Sequence, residues 1–570
     1  MTLAKALDAD QRADALHQLG SGELDVLVVG GGIVGVGAAL DAVTRGLKVG
    51  LVEQRDLASG TSSRSSKLVH GGLRYLEMLD FALVKEALEE RGLLLTRLAP
   101  HLVRPVPFLY PLEHAWERPY VGAGVALYDG MAMAGKYDMG VPKHKHVFRK
   151  QLARMAPDVR TDTLHGAIRY YDCQVDDARL VMTIARTAAN NGAHVATRTK
   201  VTGFLRQGER VVGATVRDLE GERDIEVRAK VVINAAGVWT DEVQELIGGQ
   251  AQLDVDASKG IHLVVPRDRI RSECGFITKT EKSVLFVIPW GQFWIIGTTD
   301  TAWDYDLAHP AASKTDIDYL LGHVNRLLKD PLDHRDVIGV WAGLRPLLKP
   351  MRKEGEMGET TKLSREHTVA NPVPGLVLVA GGKLTTYRVM AKDAVDHAIR
   401  DFAATPASIT DRVPLMGAWG HEARTNQRVA LSRSSGLDVG VIDHLLGRYG
   451  GLVDEVLELI HDRPELGEPL PGAEHYLRAE VLYAATHEGA RHLDDVLARR
   501  TRVSIETFDR GISAARPAAE LMAEALGWDE AQVADEVDHY LRRVEAERQS
   551  QLMPTDQEAD EARVKAPDIV

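Results

Sequence analysis

The apolar and polar positions at the start of the chain follow the rhythm of a parallel α/β unit. Residues 26–29 form a short continuous apolar run, the pattern of a buried strand, and residues 34–45 are rich in Ala and Leu over a helical length. Gly46 closes that helix, and a second strand over 47–52 ends at Glu53, so residues 25–53 predict a β-α-β unit. Residues 59–72 are loop-like in their Gly and Ser content. A helix is expected over 81–99, with Val84, Ala87, Leu88, Leu95 and Leu98 on one face, and it stops before Pro100. Residues 105–150 mix prolines and aromatics around a Gly- and Ala-rich stretch at 121–135 that periodicity leaves unassigned.

Apolar runs at 211–216, 231–235, 262–265, 285–289 and 293–297 predict the strands of a sheet-rich middle. Beyond about Thr410 the pattern turns helical, with long segments at 438–449, 474–500 and 517–544 separated by Gly-Gly and Gly-Trp breaks. This predicts a separate helical domain over 411–548. The polar stretch 545–570 lacks periodicity, and residues 549–570 are expected to form a mobile tail.

At 570 residues the chain exceeds one core, and 45% hydrophobic with 26% charged residues is ordinary for a globular protein. The net charge of −13 gives no basic field, which argues against nucleic acid as a partner. Cys173 and Cys274 are far apart and outside any CxxC spacing, so they read as plain buried thiols in a reducing compartment. Residues 1–20 carry Asp8, Asp10 and Asp14 without an apolar run behind a basic start, so no signal peptide is read and a cytoplasmic location is expected. The longest apolar stretch, 26–40, is too short and too glycine-broken for a membrane helix.

Gly30-Gly31-Gly32-Ile33-Val34-Gly35 sets the GxGxxG spacing directly after a strand and before a helix. That spacing allows a tight turn, close approach of a pyrophosphate to free helix N–H groups, and close helix packing. Glu53, at the end of the second strand, is placed to accept ribose hydroxyls and disfavours a 2′-phosphate. The motif touches only the ADP half, so FAD and NAD both satisfy it. His487-Glu488-Gly489-Ala490-Arg491 has Arg where a zinc helix needs its second His, and no metal site is expected. Neither a nucleophile elbow nor a GxxxxGK[ST] loop stands out.

Six separated motifs carry a more specific likeness. They are the Gly30–Gly35 turn with Glu53; Thr61-Ser62-Ser63 onward through His70-Gly71-Gly72-Leu73-Arg74-Tyr75; Tyr171-Asp172-Cys173 with Val175 to Leu180; Ile296-Gly297-Thr298-Thr299-Asp300; Gly343-Leu344-Arg345-Pro346; and Gly381-Gly382-Lys383-Leu384-Thr385-Thr386-Tyr387-Arg388. In these, over about 25–510, the sequence resembles the FAD-dependent glycerol-3-phosphate dehydrogenases of the D-amino-acid-oxidase-like flavoprotein superfamily.

The resemblance implies an α/β fold: a Rossmann-like FAD-binding domain over 20–410, an interleaved sheet-rich substrate domain (roughly 81–160 and 255–345), and a C-terminal helical domain. It implies non-covalent FAD held by Gly30, Gly32, Ile33, Gly35, Glu53, Thr61, Ser62, Ser63, Ser66, Lys67, His70, Gly71, Gly382, Lys383, Leu384 and Thr385. The implied reaction is oxidation of sn-glycerol 3-phosphate to dihydroxyacetone phosphate, with hydride passing to FAD and electrons to a membrane quinone. Arg74, Arg345 and Lys383 match family positions close to substrate or flavin, and Tyr75, Lys259 and Thr385 are expected to bind substrate with them.

An Arg fork suits a phosphate dianion, giving paired charge-assisted hydrogen bonds that a lone Lys cannot. Oxidising an alcohol also needs a base within reach of its proton, and His70 and His262 are both candidates. Lys259 is expected to stabilise the developing alkoxide. A peripheral contact with anionic lipid on the inner face of the cytoplasmic membrane would fall within 112–150, where Lys143, Lys145, Arg149 and Lys150 flank Val147 and Phe148; the alternative for these residues is a solvated basic loop. A homodimer is also expected. Alternatives are a glycerol-3-phosphate oxidase using oxygen, an amine or amino-acid oxidase on the same fold, and a non-catalytic flavin-binding protein.

Overall fold

The computed structural model describes residues 5–248, 255–280, 284–348, 367–403 and 406–566, apart from the side chain of Arg74. The predicted β-α-β unit is present as strand Glu23–Val29, helix Ile33–Thr44 and strand Val49–Val52. Glu23–Val29 pairs in parallel with Val49–Val52 on one side and with Arg223–Asn234 on the other. Leu376–Gly381 adds in parallel beyond Arg223–Asn234, and His194–Ala196 beyond Val49–Val52. Strand order therefore turns about the first strand, and the crevice at its carboxyl end is where an open parallel sheet binds ligands.

The strands read as near-continuous apolar runs because the sheet is covered on both faces. One face packs on helices Ile33–Thr44, Asp177–Asn190 and Tyr387–Ala398; the other includes Ala9–Ser21. Val26, Leu27 and Val28 are fully buried, each contributing about 2 kcal/mol.

The second sheet is mostly antiparallel and runs in the order Thr301–Ala302, Val255–Pro266, Phe293–Gly297, Val284–Trp290, Gly275–Lys279, Arg104–Leu112, Gly166–Gln174, Leu68–Val69. Gly339–Leu348 pairs with Val255–Pro266, and Lys145–Phe148 with Gly166–Gln174. It draws on more of the chain than expected: residues 68–69 and 166–174 lie outside the 81–160 segment. Helix Lys314–Asn325 packs on one face through Ile317 and Leu320, leaving the opposite face toward the first sheet.

The helical domain beyond residue 411 has its own core, including Ile442, Leu446, Val481, Ala515 and Tyr540. Its long predicted helices are broken. Residues 474–500 divide into strand Ala473–Leu477, helix Arg478–His487 and a wider helical turn at Asp495–Arg500, with Gly489 at φ 69° between the last two. Residues 517–544 belong to helices Ile512–Leu526 and Glu530–Ser550, divided at Gly527 with φ 72°. The unassigned stretch 121–135 lies within and just beyond helix Glu117–Ala134.

The mobile tail is corrected by the structure. Residues 551–566 are placed, with helix Asp556–Arg563 docked on the sheet domain and Ala559 fully buried. Its polar sequence hid this because the segment buries only small or paired residues; residues 567–570 lie outside the described set. Among the described residues no helix is long and apolar enough to cross a membrane.

Candidate functional site

A cavity of about 420 Å³ lies between the two sheets, lined from the carboxyl ends of the parallel strands to the open face of the second sheet. At its dinucleotide end Gly30 has φ 109°, and a Cβ there would lie 2.7 Å from the Ala235 carbonyl oxygen. A Cβ on Gly35 would lie 1.9 Å from the Gly30 carbonyl oxygen. Only glycine fits both places, which brings the turn tightly onto the helix start. Glu53 accepts the Gly31 N–H at 2.6 Å and the Arg55 N–H at 2.7 Å. Burial raises its carboxyl above the usual range, against those two donors.

The Ser-rich loop closes this end. Ser62 Oγ accepts the Ile33 N–H at 3.0 Å, and the Thr61 hydroxyl donates to the Leu344 carbonyl at 2.7 Å. On the far side Gly381 and Gly382 have φ 81° and 78°, turning the chain so that Lys383, Leu384 and Thr385 line the cavity. The Thr385 hydroxyl accepts from His70 N–H at 3.0 Å and donates to His70 C=O at 3.1 Å, locking those two segments together.

The other end carries charge and hydroxyls. Arg345 Nη2 donates to Thr298 Oγ1 and to the Thr299 carbonyl, each at 3.2 Å, and Nη1 donates to Ser258 Oγ at 3.4 Å. The Ser258 hydroxyl donates in turn to Asp300, which lies 3.6 Å from Arg345 Nη1. The Lys383 ammonium sits 3.9 Å from the Tyr75 ring centre. His262 stacks on Trp341 at 4.7 Å between ring centres, with Nε2 2.8 Å from Ser66 Oγ. Burial, then the positive charges of Arg345 and Lys67, push the His262 imidazole well below its ordinary pKa, so it is uncharged at neutral pH.

His70, Thr61, Ser62, Ser66, Tyr75, Gly382, Leu384, Thr385, Arg345 and Lys383 all line the cavity, as do Gly30, Gly32, Ile33, Glu53 and His262. Five expected contacts lie elsewhere. Lys259 is fully buried on the opposite face of its strand, paired with Asp316 at 2.7 Å and Asp556 at 2.5 Å. The two-residue period of a strand explains this: Ser258, Gly260 and His262 share the cavity face, and Lys259 joins Ile261 and Leu263 on the other.

Lys67 is also fully buried, donating to Asp177 at 2.8 Å and to the Ser63 carbonyl at 3.1 Å, and so props the loop from behind. Ser63 is turned into that prop. Gly71 donates its N–H to Tyr128 Oη at 2.8 Å, and a Cβ on it would meet Leu88 at 2.5 Å. Gly35 acts through packing alone. The side chain of Arg74 lies outside the described set.

The pairing of the supporting residues is not read from the sequence, although Asp176 and Asp177 fall within one of the family motifs. Asp56 takes Arg500 at 2.7 Å and Arg499 at 2.5 Å, and Asp176 and Asp177 take Arg502. Thus Arg499-Arg500-Thr501-Arg502 of the helical domain grips the cofactor loop. The signal available was the arginines at 499, 500 and 502, close behind Asp494 and Asp495. His487 and Glu488 serve structure as well: Glu488 pairs with Arg179, and the His487 ring stacks on Tyr483. No metal-holding cluster occurs among the described residues.

A glycine cradle with a partly buried acid, continuous with a cationic pocket on a second sheet, is the arrangement of a dinucleotide-dependent oxidoreductase. The comparisons agree. Residues 25–392 match the family model described as "FAD dependent oxidoreductase", and residues 408–533 match "C-terminal domain of alpha-glycerophosphate oxidase". The chain is 55% identical over 567 residues to "Glycerol-3-phosphate dehydrogenase 2" of Mycobacterium tuberculosis, covering 99% of this chain and 95% of that one. It is 38% identical to "Glycerol-3-phosphate dehydrogenase, mitochondrial" of Mus musculus, covering 90% and 72%. The crystal structure of the Bacillus halodurans glycerol-3-phosphate dehydrogenase complexed with FAD superposes with a TM-score of 0.76 at 29% identity, covering 95% of this chain and 98% of that one. The chain belongs to the FAD-dependent glycerol-3-phosphate dehydrogenase family.

Proposed function

We propose that this enzyme oxidises sn-glycerol 3-phosphate at its secondary alcohol, giving dihydroxyacetone phosphate. The observation that carries the reading is one cavity joining a dinucleotide cradle to Arg345, Lys383 and an uncharged His262. A phosphate monoester is nearly a dianion, and the Arg345 fork, oriented by Ser258, Thr298 and Asp300, supplies paired charge-assisted donors. Lys383 adds a second positive charge at the flavin-side wall. FAD, when bound, supplies the ring that takes up the hydride leaving the substrate carbon. His262 accepts the hydroxyl proton as that hydride departs; its neutral state is the one a base needs. The names of the relatives support the same substrate.

The onward acceptor in this reading is a membrane quinone. Support comes from an exposed apolar surface around helix Glu117–Ala134, which packs on the Leu73–Leu76 turn and helix Phe81–Leu93 at the cavity rim. Trp116, Tyr120 and Phe148 are each more than half exposed there, as are Met78 and Leu79. Lys143, Lys145, Arg149 and Lys150 lie nearby in sequence, the composition of a surface that rests on anionic lipid.

The test is anaerobic bleaching of the flavin absorbance by sn-glycerol 3-phosphate, beside glycerol, glycine and D-alanine. Bleaching by the phosphate ester alone is expected; bleaching by an amine would move the chain to the amino-acid oxidases. Mixing the reduced protein with a short-chain quinone or with oxygen then separates dehydrogenase from oxidase, and fast reoxidation by oxygen alone would reject the quinone.

A further inference from the structure

The segment after helix Glu530–Ser550 crosses from the helical domain to the sheet domain, beyond the last residue of either matched family region. The Met553 carbonyl accepts the Lys314 N–H at 2.8 Å, and the Pro554 carbonyl accepts the Thr315 hydroxyl at 2.6 Å. Helix Asp556–Arg563 then begins with a reciprocal Thr555–Glu558 cap. Three of its side chains reach the back of the cavity wall. Asp560 accepts the Asp306 N–H at 3.2 Å, Ala559 packs with Trp303, Ala311 and Leu344, and Asp556 takes the Lys259 ammonium at 2.5 Å.

Lys259 lies between Ser258 and Gly260. Ser258 faces Arg345 across the ladder, and Lys259 faces Leu344, whose carbonyl holds Thr61. A Cβ on Gly260 would lie 2.5 Å from Arg345 Nη2, so this short run of strand is the floor on which the guanidinium rests.

We propose that Asp556 is a positioning residue: acting through Lys259, it fixes strand 258–262 from behind and so sets Arg345 for the phosphate of the substrate. The assignment rests on the function proposed above for the cavity. The tail is then a strap on the substrate site, and Asp556 touches neither substrate nor cofactor.

The test uses full-length holoenzyme carrying Asp556→Asn, with Asp556→Glu and Thr555→Ala beside it. Asparagine is isosteric, Asp556 is 27% exposed and Lys259 keeps Asp316, so the fold has every reason to persist. The KM for sn-glycerol 3-phosphate is expected to rise about tenfold with kcat within about twofold, because the loss falls on substrate positioning. Flavin content is expected to stay at the wild-type level.

Asp556→Glu is expected to recover most of the KM. Thr555→Ala, which frays the helix start without touching Lys259, is expected to raise KM about threefold. An unchanged KM in Asp556→Asn, a fall in kcat that tracks flavin loss, or a Glu variant no better than Asn would each overturn the proposal. Hydrogen exchange over residues 255–262 and 340–348 separates it from the function itself. If sn-glycerol 3-phosphate fails to bleach the wild type, faster exchange there in Asp556→Asn still supports the strap, and unchanged exchange rejects it.

Discussion

Replacing Arg502 with Ala removes the cation at the centre of the buried network between the helical domain and the cofactor loop. Its side chain is 3% exposed and holds Asp176 through Nε at 3.1 Å, Asp177 through Nη2 at 2.6 Å and the Ser63 carbonyl through Nη1 at 3.4 Å. Without it, Asp177 keeps Lys67, and Asp176 keeps Arg448 at 3.7 Å and the Arg179 N–H at 3.2 Å. Breaking a buried ion pair costs about 3–5 kcal/mol, and the remaining cations place this case near 3. That is about a hundredfold in the population whose 61–67 loop has left its native position.

The same loop bears Ser62 on the Ile33 amide and Ser66 on His262, so the displaced population cannot hold flavin. The rate of FAD release, read from recovery of flavin fluorescence on dilution, is expected to rise by up to about that factor, because release passes through the displaced population. The temperature of flavin release in a thermal ramp is expected to fall with it. Arg502→Lys keeps a charge but loses the fork and is expected to fall between. An Arg502→Ala protein that keeps its flavin at wild-type dilution and temperature would refute the argument.

Arg345→Ala is expected to raise the substrate KM by about thirtyfold or more and leave bound FAD intact, from about 2 kcal/mol in charge-assisted hydrogen bonds; flavin loss instead would place Arg345 on the cofactor. His262→Asn is expected to lower kcat about 10²- to 10⁴-fold and His70→Asn much less, and steady-state rates in which His70 is the costlier loss would reverse the choice of base. Gly35→Ala puts a Cβ 1.9 Å from the Gly30 carbonyl oxygen and is expected to yield protein without flavin, checked by the absorbance ratio after gel filtration. Burial, then His421, pushes His101 down to about 3. Below about 6.5 the unfolded chain therefore binds a proton that the folded chain refuses, so this contribution is complete above that pH and is lost as pH falls. Between pH 6.5 and 5.5 it amounts to about 1 kcal/mol, and denaturation midpoints of His101→Gln are expected to fall less over that range than those of wild type.

The parts legible in the sequence were those where local geometry and chemistry coincide. Gly30, Gly35 and Glu53 are forced by the turn itself, so spacing alone located the cradle. Arg345, Lys383 and His262 came with family motifs and line the same cavity. Lys259 was misplaced because motif membership says nothing about which face of a strand a residue occupies, whereas the alternation of Ser258, Gly260 and His262 does. Lys67 was misplaced because its carboxylate partner, Asp177, is 110 positions away and only folding brings them together. The tail was missed because hydrophobic periodicity cannot register a helix whose buried contacts are an alanine, a capped start and one carboxylate.

The first sheet and the arginine grip together constrain the order in which a growing chain matures. Strand Glu23–Val29 waits for Arg223–Asn234, and that strand for Leu376–Gly381, before the parallel core is complete. Asp56 waits longer still, for Arg499 and Arg500. The glycine turn thus emerges early from the ribosome, yet the loop that closes it is secured only once the chain has been made through Arg500. Such long-range closure slows folding and leaves early segments exposed. Cofactor capture then becomes a late event that reports a finished molecule: nascent chains stalled before residue 499 should shed FAD, and firm retention by them would show that the cradle matures alone.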